Sequence, residues 1–195
     1  MKTRFLTLTA VAAVAVAGAL WAQSSRGSAS TTVGGKKVAV DYGRPALKGR
    51  TIDALLKQLP PEKIWRSGDS EVTTFSTEGD VAVGGQTVKA GKYSVYVHAP
   101  ESGEWALVLN SDLGQPLGDI WKEAPENLKN APYPYLGNYE EKIKVKEVAR
   151  VPLQKSQATA PAENFTISFA LKGAGSTMTL AWGDQAWSTD VTPVK

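Results

Sequence analysis

Tyr93-Ser94-Val95-Tyr96-Val97-His98 is the stretch that decides the fold. Tyr93, Val95 and Val97 share one parity and Ser94, Tyr96 and His98 the other, so an extended chain here puts an apolar row on one face. The same two-residue period recurs at Val38, Val40 and Tyr42, at Trp105, Leu107 and Leu109, at Phe165, Ile167 and Phe169, and at Met178, Leu180 and Trp182. Gly34-Gly35 and Gly84-Gly85 lie between short β-rich runs and predict tight hairpins, and Gly183-Asp184 is read as the turn of the last one. One helix is expected, over residues 51–59: Thr51 caps it, Ile52, Leu55, Leu56 and Leu59 share a face, and Pro60-Pro61 ends it. Many short strands with one helix predict an all-β protein, an antiparallel β-sandwich of jelly-roll-like or immunoglobulin-like form.

Two segments depart from the alternation, and a third keeps it with lysines. Residues 111–139 carry Pro116, Pro125, Pro132 and Pro134 among Trp121, Tyr133, Tyr135 and Tyr139. They read as one long irregular loop, with a short helix over 119–130, whose aromatics line a binding surface or plug the sandwich edge. Residues 154–163 read as a second, polar loop. Lys142, Lys144 and Lys146 alternate with Ile143 and Val145 and predict a solvent-facing edge strand over 142–151, with Glu140, Glu141 and Glu147 diluting the charge.

The first 22 residues have the form of a secretory signal peptide: Lys2 and Arg4, then an uncharged Ala- and Val-rich run, with cleavage expected after Ala22. Residues 23–30 are read as a disordered lead-in and 31–195 as one sandwich domain. The expected location is periplasmic or extracellular, with no membrane span after cleavage. Without Lys2 and Arg4 the 22 basic residues become 20 against 19 acidic ones, and the net charge falls from +3 to +1. The basic pI therefore does not point to nucleic acid. Cysteine is absent, so no disulfide framework supports the fold, and 173 residues remain to build a core.

The inventory removes several chemistries. Thiol catalysis needs cysteine, and a Ser-His-Asp arrangement would have to use the single histidine, His98, which reads as a partly exposed strand residue. No Gly-x-Ser-x-Gly elbow or phosphate loop occurs, and neither a metal site nor a cofactor is expected. What stands out is a polar and aromatic cluster in two runs: Tyr42, Arg44, Lys48 and Arg50, then Trp65, Arg66, Asp69 and Glu71. Arginine forks suit carboxylate or phosphate, and the rings suit a flat apolar face. Trp121, Tyr133 and Tyr135 are candidate additions from the long loop. Asp69 and Glu71, two apart, would share a face on a strand. That spacing suits either glycoside chemistry or ion pairs to the arginines, and the arginines favour ion pairs by lowering the carboxylate pKa values.

These same runs resemble a bacterial family of exported proteins, domain of unknown function 2911. The resemblance rests on Asp41-Tyr42-Gly43-Arg44-Pro45 with Lys48-Gly49-Arg50, on Trp65-Arg66 with Gly68, Glu71 and Thr73-Thr74, and on Val83-Gly84-Gly85 leading to Ala90-Gly91-Lys92-Tyr93-Ser94. Glu104-Trp105, Leu109-Asn110, Leu180 and Trp182 continue it. It implies a β-sandwich and export, and no activity. The chain departs from the family at Asp69-Ser70, where Ala-Asn is more usual, at Gly183, where an acid commonly stands, and in residues 115–136, which lack the usual Trp-Gly element.

Three functions remain open, in this order. The first is a non-catalytic binding module for a glycan or an anionic small molecule at the Arg/Trp/carboxylate cluster. The second is a structural scaffold with an envelope protein partner. The third is a hydrolase using Asp69 and Glu71.

Overall fold

The computed structural model describes residues 25–194, so the signal-peptide segment lies outside the described residues. Alternation builds the strands as expected. A first sheet runs in the order β1 (Arg26–Val33), β2 (Lys36–Gly43), β4 (Thr74–Thr77), β7 (Gly91–His98), β8 (Ala106–Asn110), β11 (Glu147–Pro152), every pairing antiparallel. The short β3 (Ile64–Trp65) continues the line of β4 along the same side of β7. A second sheet runs β12 (Gln154–Lys172), β13 (Gly175–Pro193), β5 (Val81–Val83), β6 (Gln86–Val88). Val38, Val40, Phe75, Val95, Val97, Leu107 and Leu109 meet Val81, Val83, Phe165, Ile167, Met178 and Leu180 in one buried cluster between the sheets. The fold is therefore an all-β antiparallel sandwich.

Gly34-Gly35 and Gly84-Gly85 turn the β1–β2 and β5–β6 hairpins, all four with positive φ, which two-residue hairpin turns require. Gly183-Asp184 makes no turn: Gly183 sits inside β13 opposite Ala162, beside a break in register, and the hairpin turns at Gly173-Ala174 instead. A Cβ on Gly183 would lie 3.3 Å from Leu47 and 3.4 Å from Ile52, so its role is to let the helix region approach the sheet.

Two segments read as irregular are strands. Arg26 to Ser30, placed in the lead-in, belong to β1, and residues 154–163 belong to β12. Both stretches lie at sheet edges, where main-chain pairing holds them with little apolar surface of their own, although Val33 further along β1 and Phe165 and Ile167 further along β12 reach the core. Arg26 helps anchor β1, its Nε 2.7 Å from the Asp41 carboxylate. The lysine-rich run is the reverse case. Its strand begins only at Glu147, after a helical turn α3 (Tyr139–Lys142) and a 3-10 turn at Lys144–Lys146. Ile143 is buried and Val145 is 90% exposed, so the two share no face.

Residues 111–139 fold over the outer face of the first sheet rather than its edge. Ile64, Tyr96 and Val108 on that face pack with Tyr139, Ile143 and Tyr135 in a second cluster. Tyr96 and Tyr139 meet edge to face at 4.8 Å, and Asn110 donates to the Tyr139 hydroxyl and the Ile143 carbonyl. Helix α2 (Leu117–Ile120) is a single turn, shorter than the helix expected over 119–130. It follows β9 (Gln115–Pro116), which pairs with β10 (Pro132–Tyr133).

Asn138 gives α3 no side-chain cap, and Glu62 does this work from across the fold. Its carboxylate accepts from the Tyr139 and Glu140 amides at 3.1 and 2.8 Å. Glu62→Ala should cost about 1–2 kcal/mol. Hydrogen exchange should show faster loss of protection at Tyr139 and Glu140 than in the sandwich core.

Candidate functional site

Between β2 and β3 the chain leaves the sheet and lays a short helix, α1 (Ile52–Leu56), across one end of the sandwich. Thr51 caps it as expected, its hydroxyl accepting from the Ala54 amide at 3.2 Å. Only Ile52 is fully buried. Leu55, Leu56 and Leu59 are half-buried and, with Ile52, wall a cavity of about 360 Å³. The rest of its wall is aromatic. Four of the chain's six tryptophans, Trp65, Trp105, Trp182 and Trp187, line it from β3, the residue before β8, and β13. They stand as two parallel pairs: Trp65 on Trp182 at 5.4 Å and 11°, and Trp105 on Trp187 at 4.4 Å and 5°. Phe165 braces the first pair edge-on.

Arg66, Asp69 and Arg50 supply the charged part of this wall. Arg66 follows Trp65 directly, and a loop with positive φ at Ser67, Gly68 and Ser70 turns Asp69 back toward it. Arg66 is half-buried and makes no hydrogen bond to any acceptor among the described residues. Loss of water is the largest influence on its guanidinium and pulls its pKa below the usual arginine value, against the opposing fields of Asp69 and Tyr133. Arg50 differs. Its Nε and Nη2 donate to the carbonyls of Leu47 and Ala46 at 2.8 and 2.9 Å, so most of its fork holds its own loop.

A shallower recess of about 270 Å³ adjoins the cavity and shares Pro45, Arg50 and Asp69 with it. Arg44 and Lys48 line this recess. The Nε of Arg44 is buried without an acceptor among the described residues.

The cluster read from the sequence is thus divided. Trp65, Arg66, Asp69 and Arg50 meet at the cavity, and Arg44 and Lys48 stand in the recess beside it. Tyr42 belongs to the core: its ring packs on Phe165 and its hydroxyl donates to the Ile167 carbonyl at 3.2 Å. Glu71 lines neither space, and the run from Asp69 to Glu71 is a bent loop rather than a strand. The shared face expected for the two carboxylates is therefore not formed. Of the loop aromatics, Tyr133 reaches Arg66 electrostatically, Tyr135 packs on the outer-face cluster, and Trp121 is exposed in residues 111–139. His98 lies on the Tyr96 side of β7, its pKa lowered by burial and then by Arg150. Among the described residues no group of three or more His, Cys, Asp or Glu is placed to hold a metal ion.

Sequence reasoning misses Trp105, Trp182 and Trp187 as site residues: Trp105 and Trp182 read as strand positions, Trp187 falls outside the runs read, and the leucines of α1 read only as a packing face. The signal the sequence carries for them is a count of six tryptophans beside an amphipathic helix with three leucines on its apolar face.

Fold and site together define a two-sheet β-sandwich with an indole-walled cavity at one end, closed by a helix and edged by arginine. The chain belongs to the family described as "Protein of unknown function (DUF2911)", whose model matches residues 24–191. No curated protein and no solved structure matches it.

Proposed function

We propose that this protein is an exported, non-catalytic binding module whose ligand is a small anion with a flat apolar body. The body lies among the four indoles and the α1 leucines, and a carboxylate or phosphate meets Arg66. The carrying observation is the guanidinium of Arg66: half-buried in a mostly apolar wall, near Asp69, and making no hydrogen bond to an acceptor among the described residues. A half-buried donor fork that no protein acceptor serves is open to a ligand anion, which would make charge-assisted bonds to it. The cavity falls within the usual size of small-molecule sites, about 300–1,000 Å³, and has their typical wall, apolar with a few polar groups. A glycan fits less well, because each buried hydroxyl needs a partner and the wall is chiefly Trp, Leu and Ile. Export rests on the sequence of residues 1–22. Among the described residues no helix is long and apolar enough to cross a membrane.

The scaffold reading draws support from Arg50, which bonds its own loop. Arg66 separates the two readings. A structural Arg66 would be held in a pair, and removing one partner of a buried pair costs about 3–5 kcal/mol. A binding Arg66 is a strained resident, and Arg66→Met should melt at or above wild type without ligand. In a thermal melt of residues 23–195, 2-naphthoate at a hundred times its dissociation constant should raise wild type by roughly 5–10 °C. The shift should vanish in Arg66→Met. A destabilised Arg66→Met with no ligand shift in wild type would favour the scaffold.

A further inference from the structure

We infer that the ligand carries a second anionic group, which leaves the indole cavity past Asp69 and Pro45 and is received by Arg44 in the adjoining recess. The inference rests on the cavity being a binding site and extends it from a monoanion to an elongated dianion. The two spaces share Pro45, Arg50 and Asp69, so a molecule seated in one is bounded by the same residues as the other. Each has a guanidinium without a hydrogen-bond acceptor among the described residues: Arg66 in the cavity, and Arg44, with its Nε buried, in the recess. Arg50 stands between them with its Nε and Nη2 already given to loop carbonyls, so the loop that carries it is braced rather than free to follow a ligand. Lys48 adds a fourth cation, its backbone at positive φ and its amide donating to the Glu163 carboxylate at 2.7 Å. Asp69 and Arg50 stand on the wall that the two spaces share, between the guanidinium of the cavity and that of the recess. Charge at the two ends with an apolar middle matches this order, and planar diacids or a carboxylate–phosphate pair on a flat body have that form. Arginine forks suit either group.

The test compares 2-naphthoate with 2,6-naphthalenedicarboxylate and 4,4′-biphenyldicarboxylate by calorimetry on residues 23–195, in wild type, Arg44→Ala, Arg44→Lys and Arg66→Met. At least one diacid should bind tenfold or more tighter than the monoacid, the gain expected for a charge-assisted contact. Arg44→Ala should remove that advantage and leave 2-naphthoate unchanged, Arg44→Lys should restore part of it, and Arg66→Met should weaken all three. Unliganded melts of the Arg44 variants show that they are folded, and Arg44→Lys retains the charge if Arg44→Ala does not fold. Equal affinity of monoacid and diacids, with no effect of Arg44→Ala, overturns the second anionic group and leaves the cavity as a monoanion site. Absence of binding by all three at millimolar concentration, with Arg66→Met matching wild type, overturns both readings.

Discussion

Trp187→Ala should lower the melting temperature of residues 23–195 by roughly 10 °C, corresponding to about 3–5 kcal/mol for removing a large aromatic from a core. Trp187 is 2% exposed and stacked on Trp105, and it belongs both to the main core and to the wall of the cavity. That double membership sets the size of the effect. In a dense core, neighbours partly fill the space left by a truncation. Here the new space would open into a cavity already about 360 Å³ in volume, so collapse of the neighbours would not close it. Trp105, half-buried, would also lose its stacking partner. Trp121, 41% exposed in residues 111–139, provides the comparison: Trp121→Ala should cost well under half as much. Calorimetric melts of the two variants beside wild type check both statements, and equal falls would show that the indole cluster is not a structural wall.

The apolar face of each core strand is legible because burial on one side forces a two-residue period. Val38, Val40, Tyr93, Val95, Phe165 and Ile167 point inward as their alternation requires. The diglycine hairpins and the Thr51 cap are legible for a similar reason, since local backbone geometry demands those residues. Edge strands carry no such mark. Arg26 to Ser30 pair with β2, and Gln154 to Gln157 and Ala162 pair with β13; both stretches pack little side-chain surface, so a polar composition says nothing against them. The lysine run misleads in the opposite direction: a short alternating pattern fits a strand and also a turn in which one apolar residue is buried and the next exposed, as at Ile143 and Val145. The arginines of the site are legible because charge dense in sequence needs explaining. The cavity is not, because its indoles come from positions 65, 105, 182 and 187, and only the pairing of distant strands and the placement of α1 bring them together. Tyr42 is misleading because an aromatic with a hydroxyl looks the same in sequence whether it faces a ligand or, as here, a core carbonyl.

Gly43→Ala should be the most damaging single-methyl change near the site, abolishing measurable 2-naphthoate binding and lowering the melting temperature by about 5–10 °C. Gly43 ends β2 with an ordinary φ, so alanine meets no dihedral objection there. The whole cost is contact. A Cβ at this position would overlap the carbonyl oxygen and the carboxylate of Asp69 and lie 2.8 Å from the Asp69 amide nitrogen. A flexible side chain could swing aside, but main-chain atoms can yield only if the loop moves. That loop begins one residue after Arg66 and holds Ser67, Gly68 and Ser70 at positive φ, so it has little conformational slack. Pushing it outward carries Asp69 off the wall that cavity and recess share and changes the setting of Arg66. Gly49→Ala separates this displacement from a general effect of added methyls in the region. Gly49 has φ +75, and a methyl added there would meet nothing within 4 Å. It should therefore lose about 1 kcal/mol to backbone strain and keep its ligand. Calorimetric titration of both variants with 2-naphthoate distinguishes the cases. Retained affinity in Gly43→Ala would mean that the loop carrying Asp69 does not set the position of the guanidinium, and that Arg66 is placed by β3 alone.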